Sequence, residues 1–358
     1  MINMTALLRK EIVQSVLHTF NASNIDYDVY IIANTCDKTP FIGPAGMKHA
    51  SEEEFFSRIE FAEIASAIFN VFGYVKVFYS EIDFCKYVFE NNIKRNECVV
   101  YNLSRDGRCE GKKSLIPALC DLLDLRYTGS NAFVISLLRN KYAFGCLLQR
   151  HNIPLPTSWI FNSSEGFLDG QPLSGQEIII KNLHESASIG LTEDNIITFD
   201  NTENTRLKMH NRCTQMNSKT VLVQEYISGY ECEVLVLKIK GKYIALDPVE
   251  IVLGSQRIIS SNVSNNYQYD FAPLYEKFPA DLCSKIQAYS EHAAKILNVE
   301  NYARFDFRIT EDMQCFLIDI AGTPYTIQHS SVAYLFQDIY NLAYEDIYKV
   351  IVELAIQS

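Results

Sequence analysis

The chain has 358 residues, 48% of them hydrophobic, and a formal net charge of −11. That length suits two or three domains with sizeable cores, and the charge disfavours nucleic acid as a bulk partner. There is no run of 18 or more apolar residues, no basic-then-apolar leader, and no CxxC pair or zinc spacing among the ten cysteines, so neither membrane span nor signal peptide nor disulfide framework is expected, and a reducing cytoplasm is.

Residues 28–34 read as a buried strand, followed by a loop containing Pro40, Gly43, Pro44 and Gly46. Ser51 and Glu54 have capping-box spacing, and Phe61, Ile64, Ile68 and Phe72 continue at helical spacing. Strands at 74–79 and 98–103 and a helix at 115–125, with Pro117 in its first turn, complete a small α/β domain with a mostly parallel sheet. Beyond Gly129, residues 131–150 read as one long helix ended by Pro154 and Pro156. A strand at 177–181 runs into the small-residue loop 186–190, whose N–H groups can approach an anion closely, although the Walker order is absent. Residues 221–227, 231–240 and 242–253 read as antiparallel strands turning at Gly229 and Gly241. The Ser- and Asn-rich stretch 254–271 reads as a mobile or lid-type loop, 280–297 as an amphipathic helix and 344–355 as a closing helix. Cys146, Cys232 and Cys315 read as small core residues.

Between the last two helices lies a hairpin. Residues 303–308 alternate strictly, placing Arg304, Asp306 and Arg308 on one face and Phe305 and Phe307 on the other. A turn at Asp312 and Met313 sets Glu311 opposite Gln314 and Asp306 opposite Asp319. Carboxylates so paired repel unless a cation lies between them, and hard divalent ions prefer oxygen ligands. With Arg304 alongside, the face suits phosphoryl chemistry; by itself it also fits a solvated surface ion pair. Upstream, the extended Gln224, Glu225, Tyr226 and Ile227 can offer backbone groups to a purine edge, with Glu231 within reach of ribose hydroxyls.

The order of these segments resembles the D-alanine–D-alanine ligases and, more broadly, the ATP-grasp superfamily. Leu125-Arg126-Tyr127-Thr128-Gly129-Ser130, Asn140-Lys141, Ile153-Pro154-Leu155-Pro156, Ile179-Ile180-Lys181 with Glu185-Ser186-Ala187-Ser188-Ile189-Gly190, Val223 to Glu231, Ala303-Arg304-Phe305-Asp306-Phe307, and Asp319-Ile320-Ala321-Gly322-Thr323-Pro324 with His329-Ser330 each resemble a family segment, in family order. The resemblance implies an α/β chain, α+β in its second half, of ATP-grasp fold. An N-terminal α/β domain (1–136) would precede a nucleotide clamp with a central lobe (137–228) and a C-terminal lobe (229–358). It implies that Lys141, Lys181, Ser188, Gln224, Glu225, Tyr226, Ile227, Glu231 and Ile318 bind ATP. Asp306 and Asp319 would hold Mg²⁺, Arg304 and Ser188 would serve catalysis, Glu52 would meet the first substrate's amine, and Ser330 and Ser331 the second substrate's carboxylate.

The departures are Asp319 where the family has Glu, Ala321 where it has Asn, Tyr325 where it has Gly, and no lysine in 258–269. The expected activity is ATP-dependent carboxylate–amine ligation through an acyl-phosphate on an amino acid or specialised metabolite, a mycosporine-type ligase being one candidate. The alternative is a degenerate nucleotide-binding protein without ligase activity. Expected partners are small carboxylates and amines, with no nucleic acid or membrane, and a possible homodimer.

Overall fold

The computed structural model describes the chain apart from residues 1–3, 24–25, 41–53, 92, 94–97, 108 and 187. Ser51 and Glu52 therefore lie outside the described residues. Among these, no helix is long and apolar enough to cross a membrane.

The first layer contains α1 (Met4–Ala22), β1 (Asp28–Ala33), α2 (Arg58–Val71), β2 (Tyr74–Phe78), α3 (Glu81–Glu90), β3 (Cys98–Leu103) and α4 (Leu115–Leu123). The strands form a parallel sheet in the order β2-β1-β3. Val29, Ile31 and Ile32 of the central strand are fully buried, as a strand covered on both faces requires. Helix α3, which the sequence reading did not mark, carries the chain from β2 across to β3 on the other side of β1, a connection that a parallel sheet needs. The expected capping box at Ser51 lies outside the described residues; α2 has one at Ser57 and Glu60, where the Ser57 hydroxyl accepts from Glu60 N at 3.2 Å and Ser57 N donates to the Glu60 carboxylate at 2.6 Å. Glu54 is fully buried.

The expected long helix is two helices, α5 (Ala132–Arg139) and α6 (Lys141–Gln149). Asn140 between them is extended, with φ −97° and ψ 91°, and its side chain accepts from Ala143 N at 2.9 Å. An asparagine that caps the following helix competes with helix continuation, and the break sets Lys141 at the start of α6.

The second sheet holds β4 (Ser158–Asn162), β5 (Gly166–Phe167), β6 (Glu177–Asn182), β7 (Ile196–Thr198) and β8 (Thr220–Glu225), antiparallel in the order β5-β4-β8-β6-β7. Helix α7 (Glu203–Gln215) packs Met209 and Cys213 against Ile178, Ile180, Val221 and Val223 of that sheet.

The third sheet contains β9 (Tyr230–Ile239), β10 (Lys242–Ala245), β11 (Val249–Val252), β12 (Asp270–Pro273), β13 (Tyr302–Ile309) and β14 (Cys315–Ala321), in the order β12-β11-β9-β13-β14 with β10 also on β9. The expected strand 242–253 is interrupted before Pro248, which has no N–H to donate. The expected loop 254–271 contains α8 (Ser261–Asn265) and the start of β12. Helix α9 (Ala280–Leu297) covers the buried face of this sheet, packing Leu282, Ile286 and Ala293 near Phe305 and Phe307. Both phenylalanines are fully buried, each stabilising the fold by roughly 1.5–3 kcal/mol. Helix α11 (Glu345–Gln357) packs on α1 and α2 and joins the core of the first sheet. Cys232 and Cys315 are buried as expected, but Cys146 is exposed on α6.

The hairpin register follows from two deviations that cancel. Ile309 pairs with Cys315, and Thr310 N donates to Gln314 O at 2.9 Å, so the turn comprises Glu311, Asp312 and Met313 rather than two residues. A bulge between Asp306 and Phe307 leaves Ile318 unpaired and restores Asp306 opposite Asp319. A bulge of this kind re-aims a side chain, and Ile318 lines the central cavity.

Candidate active site

A cavity of about 530 Å³ opens between the second and third sheets and reaches loops of the first layer. Ile179, Gln224, Glu225, Tyr226, Ile227 and Ile318 line one end. The chain leaves β8 through Gly229 at φ +135°, where a Cβ would fall 2.0 Å from Ile309 O; no other residue fits that approach. This tight turn sets Glu231 at the start of β9, buried and paired with Arg308 at 3.1 Å. Arg308 also donates to Ile227 O at 3.1 Å and Gly229 O at 3.0 Å, tying down the β8–β9 connection. The alternation had placed Arg308 on this face without assigning it a role. Burial pushes the Glu231 carboxyl up against the pull of Arg308.

Lys181, one residue before the end of β6, donates to the Gln224 side chain at 3.1 Å. Burial lowers its ammonium to about 8, with Asp319 opposing. Lys141 lies 3.3 Å from the Asp319 carboxylate and donates to Glu185 O at 2.9 Å. The helix break and the strand end thus bring two lysines to one wall. A buried ammonium short of compensation gains from an arriving phosphate.

Along the floor, cross-strand pairing sets Glu233, Asp306 and Asp319 in one row over β9, β13 and β14. Arg304 grips Asp306 with two bonds of 2.8 Å and reaches Glu233 at 3.1 Å. Glu233 was not anticipated from the sequence: its partner strand is distant in the chain. Burial pushes its carboxyl up to about 7, Arg304 opposing, and burial likewise raises Asp306. Among the described residues no group of three or more His, Cys, Asp or Glu side chains could hold a metal by itself. Two facing carboxylates still fit Mg²⁺, which keeps waters and substrate phosphates as its other ligands; Ala321, beside Arg304 in the pairing, offers no side-chain oxygen.

Ser188 has the left-handed φ of 55° in the small-residue loop, and its carbonyl accepts from the Ser261 hydroxyl at 2.5 Å. The 254–271 segment is thereby joined to that loop. It also sends Tyr267, Tyr269 and Phe271 around the His329 ring, with centroids 5.0, 5.0 and 5.1 Å away. Ser330 and Ser331 line the cavity, but both hydroxyls have protein partners. Ser330 donates to Ile327 O at 2.7 Å and caps the short helix α10 (Ser331–Tyr334), while Ser331 donates to Glu233.

The end beside the first layer is charged differently. Fully buried Glu54 meets Lys113 at 2.7 Å, Lys112 at 3.2 Å and Arg139 at 3.6 Å, and accepts from Ser186 N at 3.0 Å. Lys112 and Arg139 also reach Glu185, at 3.1 and 3.6 Å. Burial would raise the Glu54 carboxyl, but Lys113, Lys112, Arg139 and Arg105 outweigh it and hold it well below the usual carboxylate range. Arg105 lies over the edge-to-face pair of Phe56 and Tyr325, 4.4 and 4.3 Å from their centroids. Thus Tyr325, which stands where the resemblance expects glycine, stacks on a guanidinium. The sequence reading missed this cluster; the adjacent Lys112 and Lys113 in a loop, and Arg139 before Asn140-Lys141, were its only signals.

Residues 164–353, more than half the chain, match the family model described as D-ala D-ala ligase C-terminus. Among curated proteins, the D-alanine–D-alanine ligase of Geotalea uraniireducens is 22% identical over 60% of this chain and 65% of its own length, so the match spans just under two thirds of that relative. The Lactococcus lactis subsp. cremoris (strain SK11) ligase is 24% identical over 68% of this chain and 69% of its own. Among solved structures, the Bacillus anthracis D-alanine–D-alanine ligase complexed with ATP aligns with TM-score 0.64 at 15% identity, over 92% of this chain and 97% of that one. The Coxiella burnetii ligase aligns with TM-score 0.62 at 14% identity, over 92% and 94%. This chain belongs to the D-alanine–D-alanine ligase family, with the ATP-grasp fold.

Proposed function

We propose that the protein joins a carboxylate to an amine at the expense of ATP, acting on an amino acid or a related specialised metabolite. The observation that carries this reading is the Asp306–Asp319 pair, in register on the cavity floor with Arg304 on one side and Lys141 and Lys181 on the other. The same reading treats the three sheets as three lobes, with boundaries near 136 and 228.

Gln224, Glu225, Tyr226 and Ile227 present backbone to the adenine, and Glu231, steadied by Arg308, faces the ribose. Lys141, Lys181 and the loop around Ser188 draw in the phosphates. Asp306 and Asp319 would hold Mg²⁺, which supplies charge neutralisation to the phosphates when bound. The substrate carboxylate oxygen attacks the γ-phosphorus and ADP departs. The amine then displaces phosphate from the acyl carbon. Arg304, forked on Asp306, is fixed to stabilise the oxyanion at that carbon. The chain mainly positions reactants and balances charge. Ser330 and Ser331, beside His329, would give the second substrate's carboxylate its place once it replaces Ile327 O and Glu233 as the acceptor of their hydroxyls.

The test is ADP release with a panel of D- and L-amino acids, for the wild type and Asp306→Asn. Turnover with at least one acceptor, reduced about 100-fold or more in the variant, supports the reading. Nucleotide binding without turnover for any acceptor would favour a degenerate nucleotide-binding protein, the reading suggested by Ala321 and by the absence of lysine from 258–269.

A further inference from the structure

We propose that the cavity end beside Glu54 receives a carboxylate donor bearing a second anionic group, a carboxylate or a phosphate, rather than the ammonium of a simple amino acid. The proposal rests on the ligase reading above.

Four cations converge there, Arg105, Lys112, Lys113 and Arg139, exposed by only 2, 1, 7 and 5%. Among the described residues only Glu54 and Glu185 answer them with ion pairs. Glu54 is already outnumbered: its Oε1 faces Lys112, Arg139 and the Ser186 amide, and its Oε2, without a hydrogen-bond partner among the described residues, lies 2.7 Å from the Lys113 ammonium. Among the described residues, an ammonium entering this end would meet more cations than acids. On the cation side capacity remains: Arg105 Nε and Arg139 Nε and Nη1 are buried without a hydrogen-bond partner among the described residues. Arg105, Lys113 and Arg139 all line the cavity. Buried positive charge in excess is costly until an anion joins it, and guanidinium groups suit carboxylate and phosphate alike. Burial has already pulled Lys113 down to about 7, in line with that excess.

The cluster also tells which substrate it reads. It shares Glu185 and Ser186 with the loop expected over the phosphates, and Lys141 donates to Glu185 O. A molecule anchored here would lie beside that loop, which assigns it as the carboxylate that becomes phosphorylated.

The experiment replaces the unknown amine with hydroxylamine. The donor oxygen takes the γ-phosphoryl group and ADP leaves; hydroxylamine nitrogen then attacks the acyl carbon, phosphate leaves, the nitrogen's proton passes to solvent, and a hydroxamate forms, read as its coloured complex with added ferric ion. Donors are D-alanine, succinate, D- and L-aspartate, and 3-phosphoglycerate. The expected result is a KM at least tenfold lower for dianionic donors than for D-alanine. Arg105→Met should raise the dianion's KM at least tenfold while leaving that of D-alanine within twofold. Preference for succinate or aspartate assigns a carboxylate, and preference for phosphoglycerate a phosphate. Hydroxamate from D-alanine with equal or lower KM, or equal losses in the variant, overturns the proposal and leaves the ligase reading standing. Absence of hydroxamate from every donor removes the ligase reading. Titration calorimetry of succinate against acetate then decides the anion site: succinate binding lost in Arg105→Met supports it, and no succinate binding overturns it.

Discussion

The two ends of the cavity hold charge in opposite ways. At the sheet end three of the four cations have an acid on a strand, Arg308 with Glu231, Arg304 with Asp306 and Lys141 with Asp319, and the fourth, Lys181, has the Gln224 side chain. At the loop end four cations crowd round one central carboxylate, Glu54, with Glu185 at the rim. Paired charges on a rigid ladder make a preorganised floor that works on the same phosphates whatever the other substrate is. A cation-rich wall built from loops and a helix end can change its ligand with a few substitutions. On the proposed ligase reading the sheet end is a nucleotide half, where geometry is dictated by pairing, and the loop end a substrate half, where it is dictated by composition.

The sharpest way to break this contrast is Glu54→Gln. Removing the one anion at the centre of three close cations leaves buried charge uncompensated, and a loss of about 3–5 kcal/mol is expected in urea unfolding. A loss below about 0.5 kcal/mol, the range of a surface change, would mean the cluster is not coupled. At the other end, Lys181→Ala is expected to weaken ATP binding by roughly ten- to a hundredfold, about 1.4–2.8 kcal/mol, while Lys208→Ala on α7 leaves it unchanged. Equal losses in calorimetry would remove Lys181 from the phosphate wall. The effect smallest at each step of its measurement lies in the pH dependence of stability. Lys113 is lowered by burial to about 7, against Glu54 and with Arg105, Arg139 and Lys112 adding to the fall. Below pH 7 the folded and unfolded chains both hold its proton. Between about 7 and the ordinary 10.5 only the unfolded chain does, so stability rises with pH there, by at most about 1.4 kcal/mol per unit. Lys113→Met should delete that rise from pH 7 upward. Lys181, lowered to about 8, adds its own rise only above 8, which survives in Lys113→Met. An unchanged profile in Lys113→Met would show that its ammonium is not strained by the cluster.

The alternation of Arg304, Asp306 and Arg308 with Phe305 and Phe307 was readable because a strand's period is two and one face must enter a core. The pairing of Asp306 with Asp319 was reached through a turn one residue too short, and only the unpaired Ile318 made the count come out. The break at Asn140 and the capping box at Ser57 escaped because cap residues compete locally with helix continuation, and the winner depends on what the next turn can pack against. Glu233 escaped because it meets Asp306 only when β9 is laid beside β13.

By itself the sequence determined the alternating face of β13, the apolar strands that frame the cavity, and the order of segments that marks the family. These depend on short-range periodicity and on residues close in the chain. Tertiary structure alone decided that Glu54, Lys112, Lys113, Arg139 and Arg105 share one buried space, and that Glu233 extends the row of acids. Charges far apart in the chain acquire their energies only when folding removes the water between them.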